Sequence, residues 1–190
     1  MTPNTPIALN VADARYPARL RERLGEDALP ELTALGNLDL LALPKTALFC
    51  SARCPGNVIL TAYDQAARWR DSGRCVISGF HSPVEKECLQ ILLRGSQPII
   101  ICTARALPQL LPPEWKKPLA AGRLLILSAF AATAKRVTAE LATRGNEFVA
   151  ALADEVFIAH AAVGGHLETL TRRLRAWGIS LLAPSSGPLK

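Results

Sequence analysis

The 190-residue sequence predicts an α/β protein: a three-layer sandwich with a mainly parallel, six-stranded sheet, helices on both faces and a short N-terminal helical extension. Three observations carry this reading. Short apolar runs bounded by turn residues recur along the chain, the pattern of strands buried on both faces. Stretches with apolar residues at helical spacing alternate with them. Glycine or proline marks most of the junctions.

Residues 46–85 form the clearest unit, a strand, helix, strand and second helix start. The first strand, at 47–50, ends in a loop carrying Ser51, Arg53, Pro55 and Gly56. Ile59, Ala62, Ala66 and Trp69 share one helical stripe, which Gly73 closes. The second strand lies at 75–77. Ser82, Pro83 and Glu85 then supply an N-cap, a first-turn proline and the N3 carboxylate of a capping box.

Upstream, residues 1–45 contain Tyr16, Pro17, Leu20, Leu24, Leu32, Leu35 and Leu38, punctuated by Pro30, Gly36 and Asn37. They read as a helical extension packed on a domain that spans 46–190. Downstream, Val84, Cys88, Ile91 and Leu92 make the second helix amphipathic, and 98–102 is a third strand. The proline- and leucine-rich segment 105–117 reads as irregular, followed by a helix ending near Gly122 and a fourth strand at 123–128. Helical periodicity runs from 133 to 152 through Val137, Leu141, Phe148 and Leu152, with a break or loop expected at Gly145 and Asn146. A fifth strand at 155–159, a helix with Leu167, Leu170, Leu174 and Trp177, and a last strand at 179–182 complete the pattern.

With 49% hydrophobic residues the chain can bury one good core, and its length fits one domain. The N-terminus lacks the basic-then-apolar order of a signal peptide and no apolar run is long enough to span a bilayer, so a cytoplasmic protein without membrane contact is expected. The net charge of +6 favours polyanions without naming one. Five cysteines sit mostly in strands or on an apolar helix face, where thiols act as small hydrophobes. Cys50 and Cys54 have no second pair at zinc-finger distance, so neither disulfide nor metal site is expected, and no cofactor.

Loops at the carboxyl edge of a parallel sheet open onto helix N-termini, where backbone amides favour anions. Four are expected to converge there: 51–57, 79–82, 144–146 and 161–166. The ligand-binding candidates are Ser51, Arg53, Gly79, His81, Ser82, Arg144, Asn146, Gly164, Gly165 and His166. Arg53 can grip a phosphate bidentately, and the glycines admit close backbone approach. His81 or His166 with Glu85 or Glu168 could move a proton, but helix starts commonly carry polar residues, and no catalytic residue is assigned. Lys116, Lys117, Lys135 and Arg136 could form a phosphate track. Arg172, Arg173 and Arg175 read as a solvated helix face.

In order along the chain, these loops resemble the DNA-processing protein A (DprA/Smf) family, a Rossmann-like fold related to lonely-guy type nucleotide-binding proteins. Tyr16-Pro17 with Leu35-Gly36-Asn37 is similar to the family lead-in, and 50–53, CSAR, stands where VGSR is usual. Ser78-Gly79-Phe80 resembles the opening of SGLARGID, Pro112-Pro113-Glu114 the YPPEN segment, and 127–130 the SEY segment. RGNEFVAALAD at 144–154 is similar to RRNRIIAGLSD, and GGHLET at 164–169 to SGSLIT. Ser82 and Pro83 replace the arginine and glycine of SGLARGID, and Glu85 its aspartate. The resemblance implies DNA processing in recombination and transformation through single-stranded DNA or nucleotide binding, a homodimer, and a possible recombinase partner. A small-nucleotide sensor is the alternative. A nucleoside-monophosphate glycosidic hydrolase is the second alternative, but Thr171 stands where the hydrolase glutamate of PGGxGTxxE belongs.

Overall fold

The computed structural model describes residues 5–27, 29–130 and 138–182. One sheet runs through the molecule in the order β1-β2-β6-β5-β4-β3-β7-β8. Its strands are β1 (Ile7–Asn10), β2 (Glu31–Gly36), β3 (Lys45–Cys50), β4 (Cys75–Ser78), β5 (Ile99–Thr103), β6 (Leu124–Ser128), β7 (Glu155–His160) and β8 (Ser180–Leu182). The helices are α1 (Ala18–Leu24), α2 (Gly56–Asp71), α3 (Pro83–Leu93), α4 (Pro113–Ala120), α5 (Ala139–Leu152) and α6 (His166–Ala176). The strands β3 to β8 are mutually parallel and correspond to the six expected from the apolar runs.

The strand count and the purely helical extension need correction. The segment before residue 45 contributes α1 but also β1 and β2; β2 adds antiparallel to β6 and β1 antiparallel to β2, raising the count to eight among the described residues. Leucines three apart suggested a helix there. In β2 that odd spacing instead sends Leu32 to the core on one face and Leu35 to the core on the other, as a strand between two neighbours requires. Gly36 ends this strand at φ 113°, where an added Cβ would lie 2.3 Å from the Leu124 carbonyl oxygen. No other residue fits.

Each sheet face has its own helical layer. One core unites Leu20 of α1, Phe148 to Leu152 of α5, and Leu167, Leu170 and Leu174 of α6 against Ala47, Phe49, Ile77, Ile100 and Leu125. The other unites Ala62, Ala66 and Trp69 of α2, Val84, Cys88 and Leu92 of α3, and Leu119 of α4 against Leu48, Val76, Ile101 and Ile126. Trp69 meets Phe157 edge to face, with ring centroids 5.3 Å apart.

A second correction concerns 144–146. Helix α5 runs through Gly145 and Asn146 without a break. A helical glycine costs only about 1 kcal/mol relative to alanine, and here packing outweighs that. A Cβ on Gly145 would press on the Ala104 side chain at 3.3 Å, so its absence lets α5 lie close over the end of β5. The expected onset of this helix near 133, with Val137, Lys135 and Arg136, lies outside the described residues.

Charges at the amino ends of β3 and β7 are paired among themselves. Asp154 accepts the Lys45 backbone amide at 2.9 Å, lies 3.6 Å from the Lys45 ammonium, and pairs with Arg19. Glu155 accepts from Thr46 and pairs with Arg74. Burial works to raise the Asp154 pKa, but the Arg19 hydrogen bond, the Lys45 amide and both positive charges outweigh it and hold the carboxyl below the usual range. Unfolding raises that pKa, so the stabilisation is present above the unfolded value of about 4 and is lost as pH falls through the folded one. Asp154→Asn is expected to cost about 2 kcal/mol at pH 7 and to flatten the acid limb of a urea-melt stability profile below about pH 4.

Candidate functional site

The parallel register brings Ser51 and the 161–165 loop to the same sheet edge. The Ser51 amide donates to the His160 carbonyl at 2.9 Å, and the Ala162 amide donates to Ser51 Oγ at 2.9 Å. Arg53 and Gly165 therefore share the carboxyl edge, followed across the sheet by the loops after β4 and β5. Neighbouring strands are about 4.8 Å apart, so β7, β3, β4 and β5 present a row about 15 Å long.

Glu85 organises the middle of this row. Its side chain, 6% exposed, accepts the Cys50 amide on one oxygen at 2.8 Å and the His81 and Ser82 amides on the other at 2.8 and 3.2 Å. Ser82 Oγ accepts the Glu85 amide at 3.2 Å, completing the capping box predicted from the sequence. Burial pushes the Glu85 pKa up, against the lowering effect of these donors. The carboxylate ties the end of β3 to the loop after β4.

The chain then makes a strained turn. Phe80 takes φ 50°, a left-handed conformation unfavourable for a bulky residue, with its ring buried and its amide donating to Ser78 Oγ. Gly79 before it has no room for a side chain: a Cβ would lie 2.5 Å from Cδ2 and 2.6 Å from Nε2 of His81. The imidazole lies against bare backbone, and its Nε2 is buried without a hydrogen-bond partner. Burial and the Lys86 and Arg105 charges lower the His81 pKa, so the ring is neutral at pH 7.

Beside this turn lies a cavity of about 460 Å³ between α3, α4 and the ends of β4 and β5. Phe80, Leu89, Ile101 and Trp115 make its apolar wall, and His81, Lys86, Glu87, Arg105 and Glu114 its polar one. The Thr103 and Ser128 hydroxyls donate to the Arg105 carbonyl at 2.6 and 2.8 Å and fix the loop after β5. Among the described residues Arg53, Lys86 and Arg105 take part in no ion pair, unlike Arg19, Lys45 and Arg74 at the amino ends of the strands.

The ten candidates from the sequence divide. Gly79 and His81 line the cavity. Arg53 is exposed one strand away. Ser51 and Ser82 lie at this edge with their hydroxyls accepting backbone amides. Gly164, at φ 71°, donates its amide to Glu168 Oε2 at 2.6 Å, so a carboxylate already holds the amide that an anion would use. Gly165 starts α6, and His166 is exposed in its first turn. Arg144 and Asn146 lie within α5, and Arg144 lines a separate hollow of about 410 Å³ beside Glu140, Glu147, Asp27 and Phe130. Lys116 and Lys117 are exposed on α4. Sequence reasoning missed Lys86, Arg105 and Trp115. The signals available were a lysine in the first turn of a capped helix and an aromatic residue directly after the YPPEN-like segment.

The architecture defines a class, a Rossmann-like α/β protein with its candidate ligand edge at the carboxyl ends of parallel strands. The chain belongs to the DNA recombination-mediator protein A family, whose model matches residues 8–175. Among solved structures, DNA processing protein A from Streptococcus pneumoniae matches with a TM-score of 0.74 and 22% identity over 92% of this chain. This chain spans 61% of the pneumococcal protein. DNA processing protein A from Helicobacter pylori, described by its single-stranded DNA binding mode, matches with a TM-score of 0.72 and 19% identity over 94% of this chain and 80% of that one. A molybdenum cofactor carrier protein from Chlamydomonas reinhardtii is a more distant match, with a TM-score of 0.50, 10% identity, and coverage of 73% of this chain and 74% of that one. No curated protein matches in sequence. Among the described residues no helix is long and apolar enough to cross a membrane.

Proposed function

We propose that this protein binds single-stranded DNA along the carboxyl edge of its sheet and acts in DNA processing. Family membership supports the ligand class. The observation that supports the placement is a contrast between ion pairs: at the amino ends of β3 and β7 Asp154 neutralises Arg19 and Lys45 and Glu155 neutralises Arg74, whereas Arg53, Lys86 and Arg105 lie on the row of carboxyl-edge loops in no ion pair among the described residues. Phosphates are the natural partners for such cations. Ser51, Ser82 and Glu85 hold the loops in place, and the strand crosses them. A homodimer, contact with a recombinase and a cytoplasmic location accompany this reading.

Fluorescence anisotropy with a labelled oligonucleotide tests it. Binding is expected in low salt, and Arg53→Ala should weaken it several-fold without lowering the melting temperature. No binding of any oligonucleotide in low salt would remove the reading. The cavity volume also lies within the range of about 300–1,000 Å³ that small-molecule sites occupy, which favours a nucleotide-sensing module as the second reading. Native mass spectrometry of freshly purified protein, showing a retained mononucleotide, would favour that one.

A further inference from the structure

At the amino end of β3, a hollow of about 350 Å³ lies between the start of α1, the segment 41–44 and the turn after α5. Leu41, Leu43 and Leu152 contribute its apolar wall, and Arg19, Lys45 and Asp154 its polar groups. Lys45 is the unusual member. Its side chain is only 4% exposed, and a buried ammonium ordinarily needs both a counter-charge and acceptors for its three N–H donors. Asp154 supplies the charge from 3.6 Å, too far for a good hydrogen bond. The same Asp154 oxygen already accepts the Lys45 amide at 2.9 Å, and the other oxygen takes Arg19. Two cations therefore share one carboxylate, and the buried one lines a cavity with donors to spare. Leu43, a large apolar residue, stands 36% exposed at the same hollow.

We propose that this hollow binds a monocarboxylate with a short apolar tail, its carboxylate on Lys45 Nζ and its tail against Leu41, Leu43 and Leu152. The lining carries one positive charge in excess, which matches a carboxylate better than a phosphate dianion. The apolar wall would also leave outer phosphate oxygens without donors. A buried ammonium with free N–H groups makes a short, charge-assisted bond to a carboxylate oxygen and gains the acceptor it lacks. The volume lies at the lower end of the range of about 300–1,000 Å³ for small-molecule sites, which suits a tail of a few carbons. A free carboxylic acid and the C-terminal residue of a peptide present the same groups, and the test separates them. Lys45 begins β3 and Arg53 follows its far end, so this site stands apart from the DNA edge and does not depend on it.

The experiment follows amide and lysine side-chain signals of the protein by two-dimensional NMR during titration with hexanoate, hexanamide, inorganic phosphate, and acetyl-alanyl-leucine with a free or an amidated C-terminus. Millimolar hexanoate should shift the signals of Leu43, Lys45 and Asp154. Hexanamide should bind about ten-fold more weakly, the loss of one charge-assisted hydrogen bond. Lys45→Met fills similar space without the charge and should bind hexanoate as weakly as the native protein binds hexanamide, with a native-like spectrum away from the hollow. Leu43→Ser, at an exposed position that leaves the core intact, should weaken hexanoate and hexanamide alike by several-fold. If Lys45→Met does not fold, Leu43→Ser and the comparison of acid with amide decide. Tighter binding of the free-acid dipeptide than of hexanoate would assign the site to a peptide C-terminus, and the reverse order to a free acid. Equal binding of acid and amide, displacement of hexanoate by equimolar phosphate, or no shift at Leu43, Lys45 and Asp154 overturns the proposal and leaves the DNA reading untouched.

Discussion

Glu85→Ala is expected to destabilise the protein by at least about 3 kcal/mol, because each buried amide left without an acceptor costs about 1–3 kcal/mol. Three amides depend on this carboxylate, that of Cys50 at the end of β3 and those of His81 and Ser82 in the loop after the adjacent β4. Glu85→Gln keeps the shape and one carbonyl oxygen, so it should fall between alanine and the native residue. Equilibrium urea unfolding followed by circular dichroism gives the order. A neutral Glu85→Ala would show that the loops are held by something other than this side chain.

The second large effect is on ionic strength. If Arg53, Lys86 and Arg105 each neutralise one phosphate, log affinity should fall with log salt at a slope of about −2, so a fourfold rise in salt weakens binding about 20-fold. Removing one of the three should lower the slope by about 0.7. Lys117→Ala, on the exposed face of α4 and outside the cavity wall, should leave the slope nearly unchanged. A slope near zero for the native protein would mean that phosphates are not what the edge grips.

Much of the fold was legible because the central strands are buried on both faces. Residues such as Ile99, Ile100 and Ile101 must all be apolar, and such runs stand out in a sequence. The antiparallel strands β1 and β2 were hidden for the opposite reason. Strand β1 is half exposed, and the leucines of β2 divide between two cores at a spacing that also fits a helix. Local propensity misled at Gly145 and Asn146, where contact with Ala104 keeps α5 continuous. At the site, the capping box announced itself through Ser82, Pro83 and Glu85, a strictly local pattern. What Glu85 does could not be read there, since its partner Cys50 lies 35 residues away. Arg105 reaches the cavity from the irregular segment after β5, and Trp115 from the first turn of α4. No spacing rule encodes that meeting.

Where a bound strand lies is the central question, and photo-crosslinking followed by peptide mass spectrometry answers it most directly. With an oligonucleotide carrying photoreactive thymines, the protein should crosslink at the carboxyl edge, in peptides containing Arg53, His81, Arg105 or Trp115. Crosslinks concentrated instead around Arg19, Pro44 and Lys45, at the amino edge, would contradict the account.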